Sequence, residues 1–166
     1  MRKTYLSDDS DEEESTQSNI STKILVLGDK CVGKTSFITR LTDNYFSIYY
    51  SPTRNIEIHR EITIANMKLS LWDVPIHIKY HFKLQSLVAG VVLLLYDTTR
   101  PDTKNVALGL WDKMHQQLKR LPFVFLVGVG IPKEREMGSF YIDNMSKEGY
   151  DKLLYSIHKV TSHAHH

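Results

Sequence analysis

Cysteine is nearly absent: Cys31 is the only one in 166 residues. An intramolecular disulfide and a cysteine-rich metal site are both excluded, which favours a reducing compartment. Long apolar runs are missing too. The longest, LVAGVVLLLY from Leu87 to Tyr96, is too short to span a bilayer. The start, MRKTYLSDDS, turns acidic where a signal peptide needs an apolar stretch. No glycine follows Met1 and no cysteine lies near the C-terminus, so myristoyl and prenyl groups lack an acceptor and no direct lipid anchor is expected. There is no large excess of one charge: 21 Lys and Arg against 19 Asp and Glu leave +2, which implies no general nucleic-acid affinity. The expected location is cytoplasmic, with membrane recruitment only through partners.

The chain is 42% hydrophobic and 24% charged, a soluble globular composition long enough for one domain with a full core. Residues 1–19 hold six acids and two bases, while the remainder holds 13 acids and 19 bases. SDDSDEEES, Ser7 to Ser15, is a like-charge block with nothing to bury, so 1–19 is expected to be a disordered acidic tail and 20–166 the folded domain. The tail is read either as solubilising or, at Ser10, as a target for an acid-directed kinase. HAHH at the end is read as a frayed tail rather than a metal site.

From Thr22 onward, strand-like and helix-like segments alternate. KILVLGD is an apolar run ending in glycine, and TSFITRLTDNYF suits a helix. NIEIHREITI places Ile56, Ile58, Ile62 and Ile64 on one face, with Arg60 interrupting, and MKLSLWD alternates similarly. The short AN at Ala65 and Asn66 between them predicts an antiparallel hairpin. GVVLLLYD and FVFLVGV are apolar throughout, as parallel strands covered on both faces are. Trp111, Met114 and Leu118 recur at helical spacing, as do Tyr150, Leu153, Leu154 and Ile157. The pattern predicts an α/β domain with a mostly parallel sheet.

GDKCVGKTS, Gly28 to Ser36, matches G-x-x-x-x-G-K-[ST] between an apolar strand and a helical pattern. Its glycines let successive N–H groups of Asp29, Lys30, Cys31, Val32 and Gly33 face inward, and a helix N-terminus adds partial positive charge. Lys34 is placed to reach the outer phosphates and Thr35 to hold Mg²⁺, with Ser36 next to it. This motif alone does not separate GTPases from ATPases or small kinases.

The following segments do. From Thr22 to about Val160 the chain resembles a small GTPase of the Ras superfamily, nearest to the Rab branch. LTDNYFSIYYSPT looks like that family's first switch. The resemblance implies that Phe46 packs on the guanine, Tyr50 closes over the phosphates and Thr53 reaches Mg²⁺ and the γ-phosphate. It also implies that Asp73, in LSLWD, serves the metal through water. The implied fold is a P-loop, Ras-like G domain with a mostly parallel six-stranded sheet and an antiparallel hairpin of its second and third strands. The implied ligands are GTP or GDP with Mg²⁺, and the implied partners are protein effectors binding the first switch and that hairpin.

The family pattern breaks after Asp73. D-x-x-G-Q becomes DVPIH: Ile76 replaces the glycine and His77 the glutamine that orients the attacking water. His77 is read either as a water-positioning group or as a surface or core histidine. Lys30 either adds charge near the phosphates or points to solvent. The guanine-reading N-K-x-D becomes Val129, Gly130, Ile131 and Pro132, with no carboxylate to accept from the base. S-A-K survives in part as Met145, Ser146 and Lys147. The Ser146 amide is read as meeting a base oxygen or, alternatively, as capping a helix. Only nine residues, Gly130 to Gly138, separate FLVGV from SFYIDN, whereas a parallel crossover usually takes a dozen or more and contains a helix. Nine extended residues reach about 30 Å, enough to return along a strand of about 20 Å as a bare loop. The helix between the fifth and sixth strands is therefore expected to be missing. The face it uncovers is expected to be apolar and to meet a partner or a second copy.

Three functions remain open. The first is a GTP-binding, Rab-like protein with weak guanine selectivity and little hydrolysis. The second is a pseudo-GTPase interaction module. The third is a P-loop enzyme acting on another nucleotide.

Overall fold

The computed structural model describes residues 21–49, 57–58, 61–64, 66–75 and 89–162. The acidic tail, Tyr50, Thr53, Ile76, His77 and the terminal histidines lie outside the described residues.

Strand β1 (Thr22–Gly28) leads into helix α1 (Lys34–Thr42). Then come β2 (Glu57–Ile58), β3 (Ile62–Ile64), β4 (Met67–Asp73), β5 (Val91–Asp97), α2 (Asp102–His115), β6 (Phe123–Val129), β7 (Ser139–Ile142) and α3 (Tyr150–Ser162). The sheet order is β2-β4-β1-β5-β6-β7, with β3 also paired to β4. β2 and β3 are antiparallel to β4, and every other pairing is parallel. β2 and β3 follow one another along the same edge of β4, so together they supply the second of six strands.

Ile64 pairs with Met67, which leaves the two-residue connection that the hairpin needs. Asn66 takes φ 64° there, a conformation asparagine tolerates better than most residues. Ile58 pairs with Trp72 but Ile62 with Leu69. Three residues on one strand thus span two on the other, and the register shifts by one. The single face expected for Ile58 and Ile62, interrupted in the sequence at Arg60, does not continue in one register against β4, because side-chain direction follows register with a period of two.

The parallel strands are apolar throughout because both faces are covered. Alternate residues of β1 and β5 enter two cores. Ile24, Val26, Leu93 and Leu95 pack with Phe37 and Ile38 of α1 and with Leu153 and Ile157 of α3. Leu25, Leu27, Val92 and Leu94 pack with Ala107 and Met114 of α2, and Trp111 and Leu118 lie against them. Tyr150, Leu153 and Ile157 are buried as their helical spacing requires.

No helix joins β6 to β7: residues 130–138 run as a loop. That loop partly replaces the missing element. The Glu136 N–H donates to Tyr141 Oη at 2.9 Å, and the Glu136 carboxylate pairs with Lys104 of α2. Tyr96 and Tyr141 beneath it are buried. Burial, and then the hydrogen bond with Tyr141, push the Tyr96 phenol up to about 12. The bare apolar area is therefore narrower than the sequence suggests. At the start of β6 Leu121 is 64%, Phe123 44% and Val124 37% exposed, with Phe123 and Val124 on opposite faces of the sheet.

Candidate nucleotide site

The C-terminal ends of β1 and β4 lie side by side, with Val26 opposite Asp73. That register brings three motif residues together. Lys34 opens α1, and its side chain folds back along the loop. Its Nζ donates to the carbonyls of Gly28 at 3.1 Å and Asp29 at 2.7 Å. Burial lowers its pKa, while Asp73, Asp29 and Cys31 oppose that change. The Thr35 hydroxyl donates to Asp73 Oδ2, and Asp73 is fully buried. A hydroxyl and a carboxylate thus share one spot beside an ammonium.

These are hard oxygen donors, the chemistry Mg²⁺ prefers. Mg²⁺ is commonly bound by one or two carboxylates, with phosphates and water completing its octahedron. Among the described residues no group of three or more His, Cys, Asp or Glu could hold a metal without such help. The donor set therefore fits Mg²⁺ bound together with a polyphosphate, with Thr35 and Asp73 as the protein's contribution.

The loop itself has the shape of an anion site. Gly33 caps α1 at φ 92°. A Cβ there would sit 2.7 Å from Asn144 Nδ2, so both conformation and space demand glycine. The first turn of α1 adds the partial positive charge of a helix N-terminus. Val32 is buried, while Lys30 and Cys31 are exposed on the rim. Asp29 turns its carboxylate to the Lys30 N–H at 2.7 Å. Ser36 is half-buried in the first turn of α1.

Phe46 is half-buried, beside exposed Tyr45, Ile48 and Tyr49. Arg40 ties this segment to the opposite wall: its guanidinium donates to Asn44 O at 2.8 Å and to Met145 O at 3.0 Å. Ser146 and Lys147 lie in the turn that follows. The Asp143 carboxylate closes that turn, accepting from the Met145 N–H at 3.1 Å, the Ser146 N–H at 3.2 Å and the Ser146 hydroxyl at 2.7 Å. The Ser146 hydroxyl first, and the two amides, hold the Asp143 carboxyl below its usual range against the effect of burial. The Ser146 amide is therefore engaged within its own turn. Lys147 stands at φ 67°.

The third wall follows β6. Val129 O accepts from the N–H and the hydroxyl of Thr98, at 3.0 and 3.1 Å. Gly130 takes φ 99°, and a Cβ there would meet Thr98 Oγ1 at 2.5 Å. Ile131 and Pro132 continue this wall. None of these side chains offers an acceptor to a base.

Two contributors escaped the sequence reading. Asn144, buried, donates from Nδ2 to Gly33 O at 3.2 Å and accepts at Oδ1 from the Tyr150 hydroxyl at 2.8 Å. It fastens the base-side turn to the phosphate loop. Its only signal was position, two residues before the remnant Ser-Lys pair. Tyr150 also packs in the core, as its helical spacing predicts, against Phe37 at 5.3 Å between ring centroids. Burial raises its pKa well above the ordinary phenol value.

Known proteins resemble the chain over most of its length. The family described as "Ras of Complex, Roc, domain of DAPkinase" matches residues 23–131. The Ras-related protein RabC of Dictyostelium discoideum is 29% identical over 119 residues, covering 68% of this chain and 61% of its own. RabV of the same organism is 31% identical over 120 residues, covering 69% and 52%. The human Rho-related GTP-binding protein RhoE is 30% identical over 115 residues, covering 66% and 47%. The chain thus spans about half to three-fifths of the length of these relatives. With the family match extending from β1 through β6, the chain belongs to the Roc and Ras-type GTPase domains of the Ras superfamily of small GTPases.

Proposed function

We propose that this protein is a Ras-superfamily binding switch that holds Mg²⁺ and a nucleoside polyphosphate, selects guanine weakly and hydrolyses slowly. One contrast supports this reading. The phosphate side keeps Lys34, Thr35 and Asp73, whereas the base side offers Val129, Gly130 and Pro132 where a carboxylate reader is needed. Phosphate and metal contacts do not depend on the base, so affinity survives while selectivity falls. When bound, Mg²⁺ would neutralise phosphate charge. The chain's own residues would cradle the phosphates with backbone N–H groups, place the Lys34 ammonium against them and stack Phe46 on the base, with Tyr50 and Thr53 as further contacts.

Slow hydrolysis follows from the segment after Asp73. Pro75 is buried, and its ring fixes φ and removes a donor. His77 stands where the family has its water-orienting glutamine. Effectors would engage exposed Tyr45, Ile48 and Tyr49 and the β3–β4 hairpin, and the area at the start of β6 would meet a partner or a second copy. Identifying the nucleotide released by heat from freshly purified protein tests the proposal. Mixed purine nucleotide supports it, and stoichiometric guanine nucleotide alone would contradict the weak selectivity.

The second reading, an interaction module without productive nucleotide binding, is favoured by the engaged Ser146 amide. Protein that carries no nucleotide and takes up none when Mg²⁺ and nucleotide are added would establish it. Turnover of a non-guanine nucleotide would establish the third reading, a P-loop enzyme of other specificity.

A further inference from the structure

A charged side chain from outside the phosphate motif is fastened to the rim of its loop. Arg100 lies in the turn between β5 and α2. Its Nε donates to Asp97 Oδ2 at 2.9 Å, and its Nη2 donates to the carbonyls of Cys31 at 3.0 Å and Lys30 at 3.3 Å. Asp97 is held in turn: its Oδ1 accepts from the Thr99 N–H at 2.9 Å and the Thr99 hydroxyl at 2.7 Å. The Thr103 hydroxyl accepts from the Asp97 N–H at 2.9 Å and donates to Arg100 O at 2.7 Å. The guanidinium is therefore oriented before any ligand arrives.

The carbonyl and N–H of a trans peptide unit point in opposite directions. The unit that carries the Lys30 carbonyl also carries the Cys31 N–H, and the unit that carries the Cys31 carbonyl also carries the Val32 N–H. Drawing both carbonyls to Arg100 turns both N–H groups away from it. In a phosphate loop such successive N–H groups form the anion-binding concavity. A cation on the carbonyl side also polarises each unit and strengthens its donor. Cys31 needs such help, because its φ of 56° is a left-handed backbone that residues other than glycine hold at a cost.

We propose that Arg100, oriented by Asp97, is a positioning residue for anion binding, fixing the peptide units that present the Cys31 and Val32 N–H groups to phosphate. The inference rests on the phosphate-binding part of the proposed function and is independent of base selectivity and hydrolysis.

The test uses the full chain as wild type, Arg100→Ala, Arg100→Lys and Asp97→Asn. Calorimetry with Mg²⁺ measures binding of inorganic tripolyphosphate and, separately, of GDP. Melting without ligand and an amide proton–nitrogen spectrum accompany it. Arg100→Ala should weaken both ligands by the same factor, on the order of ten- to a hundredfold, the loss expected for charge-assisted hydrogen bonds. The Cys31 and Val32 amide signals should shift, while those in the middle of α1 stay in place. Arg100→Lys keeps the charge but loses the planar fork, so it should recover only part of the affinity. Asp97→Asn should give a smaller loss in the same direction. Wild-type affinity in Arg100→Ala, or full recovery in Arg100→Lys, overturns the proposal. So does a lower melting temperature with affinity unchanged. If wild type binds neither probe, the phosphate reading itself fails. The amide signals then decide the bracket alone: shifted signals support it and unshifted ones overturn it.

Discussion

Replacing Asn144 with alanine should cost more than any other single truncation around the site. Asn144 is 5% exposed, and its amide makes two hydrogen bonds, to Gly33 O at 3.2 Å and from the Tyr150 hydroxyl at 2.8 Å. Alanine leaves the buried Tyr150 hydroxyl without its acceptor, while Gly33 O keeps the Phe37 N–H at 2.8 Å. A buried group stripped of its partner costs about 1–3 kcal/mol and a lost hydrogen bond about 0.5–1.5 kcal/mol, so the two together cost about 1.5–4.5 kcal/mol. For a domain of this size each kcal/mol lowers the melting temperature by about 2–4 °C, giving a fall of about 3–18 °C. Chemical denaturation should show an unchanged slope and a lower midpoint. Tyr150→Phe removes only the hydroxyl and should cost about 1–2 kcal/mol. Because the two variants break a shared bond, the double variant should cost less than their sum. An Asn144→Ala protein that melts within about 1 °C of wild type, or strict additivity with Tyr150→Phe, would refute the claim that this amide joins the base-side turn to the phosphate loop.

Other expectations follow from the same geometry. The Asp143 carboxyl is held below its ordinary value of 3.8, so its contribution to stability is fully present above that value and is lost as pH falls through the folded pKa. Asp143→Asn should be less stable near neutrality and should flatten the acid limb below about pH 4 in denaturation curves; an acid limb identical to wild type would contradict this. Lys34→Ala should weaken Mg²⁺–nucleotide binding by about ten- to a hundredfold, since it removes a charged phosphate contact, and fluorescence titration with a labelled nucleotide reads this directly. Single-turnover phosphate release should be far slower than in an intact Ras-like domain, where a complete apparatus with an arginine finger gains about 10³–10⁵ in rate; release at the intact-domain rate would disprove it. Leu121→Glu with Phe123→Glu should reduce concentration-dependent association in sedimentation without changing nucleotide affinity, and identical sedimentation would argue against a contact there.

The sequence reveals what is local. The phosphate loop is legible because its glycines, lysine and threonine are contiguous and sit between a strand and a helix. Asp73 is legible only through the family resemblance, which sets it at the end of an alternating strand. The absent helix could be read because nine residues fix a reach, although the way residues 130–138 fold onto Tyr141 could not. The ties across the site are distant in the chain and leave no periodic trace. Asn144 is 111 residues from Gly33, Arg40 is 105 from Met145, and Arg100 is 69 from Cys31. Each looks in sequence like an ordinary surface or turn residue. The register shift between β2 and β3 escaped for a related reason: isoleucines at even spacing suggest one continuous strand, and only the partner strand shows the extra residue.

The central claim is that the phosphate side is intact while the base side reads poorly. Titrating labelled GTP and ATP with Mg²⁺ into nucleotide-stripped protein tests it most directly. Losing two hydrogen bonds to a carboxylate removes several kcal/mol of guanine-specific binding, at about 1.5–3 kcal/mol each. The account therefore predicts measurable binding of both nucleotides, with affinities within about tenfold, a gap of roughly 1.4 kcal/mol. Tight binding of GTP with ATP excluded by several orders of magnitude would contradict it, as would failure to bind either.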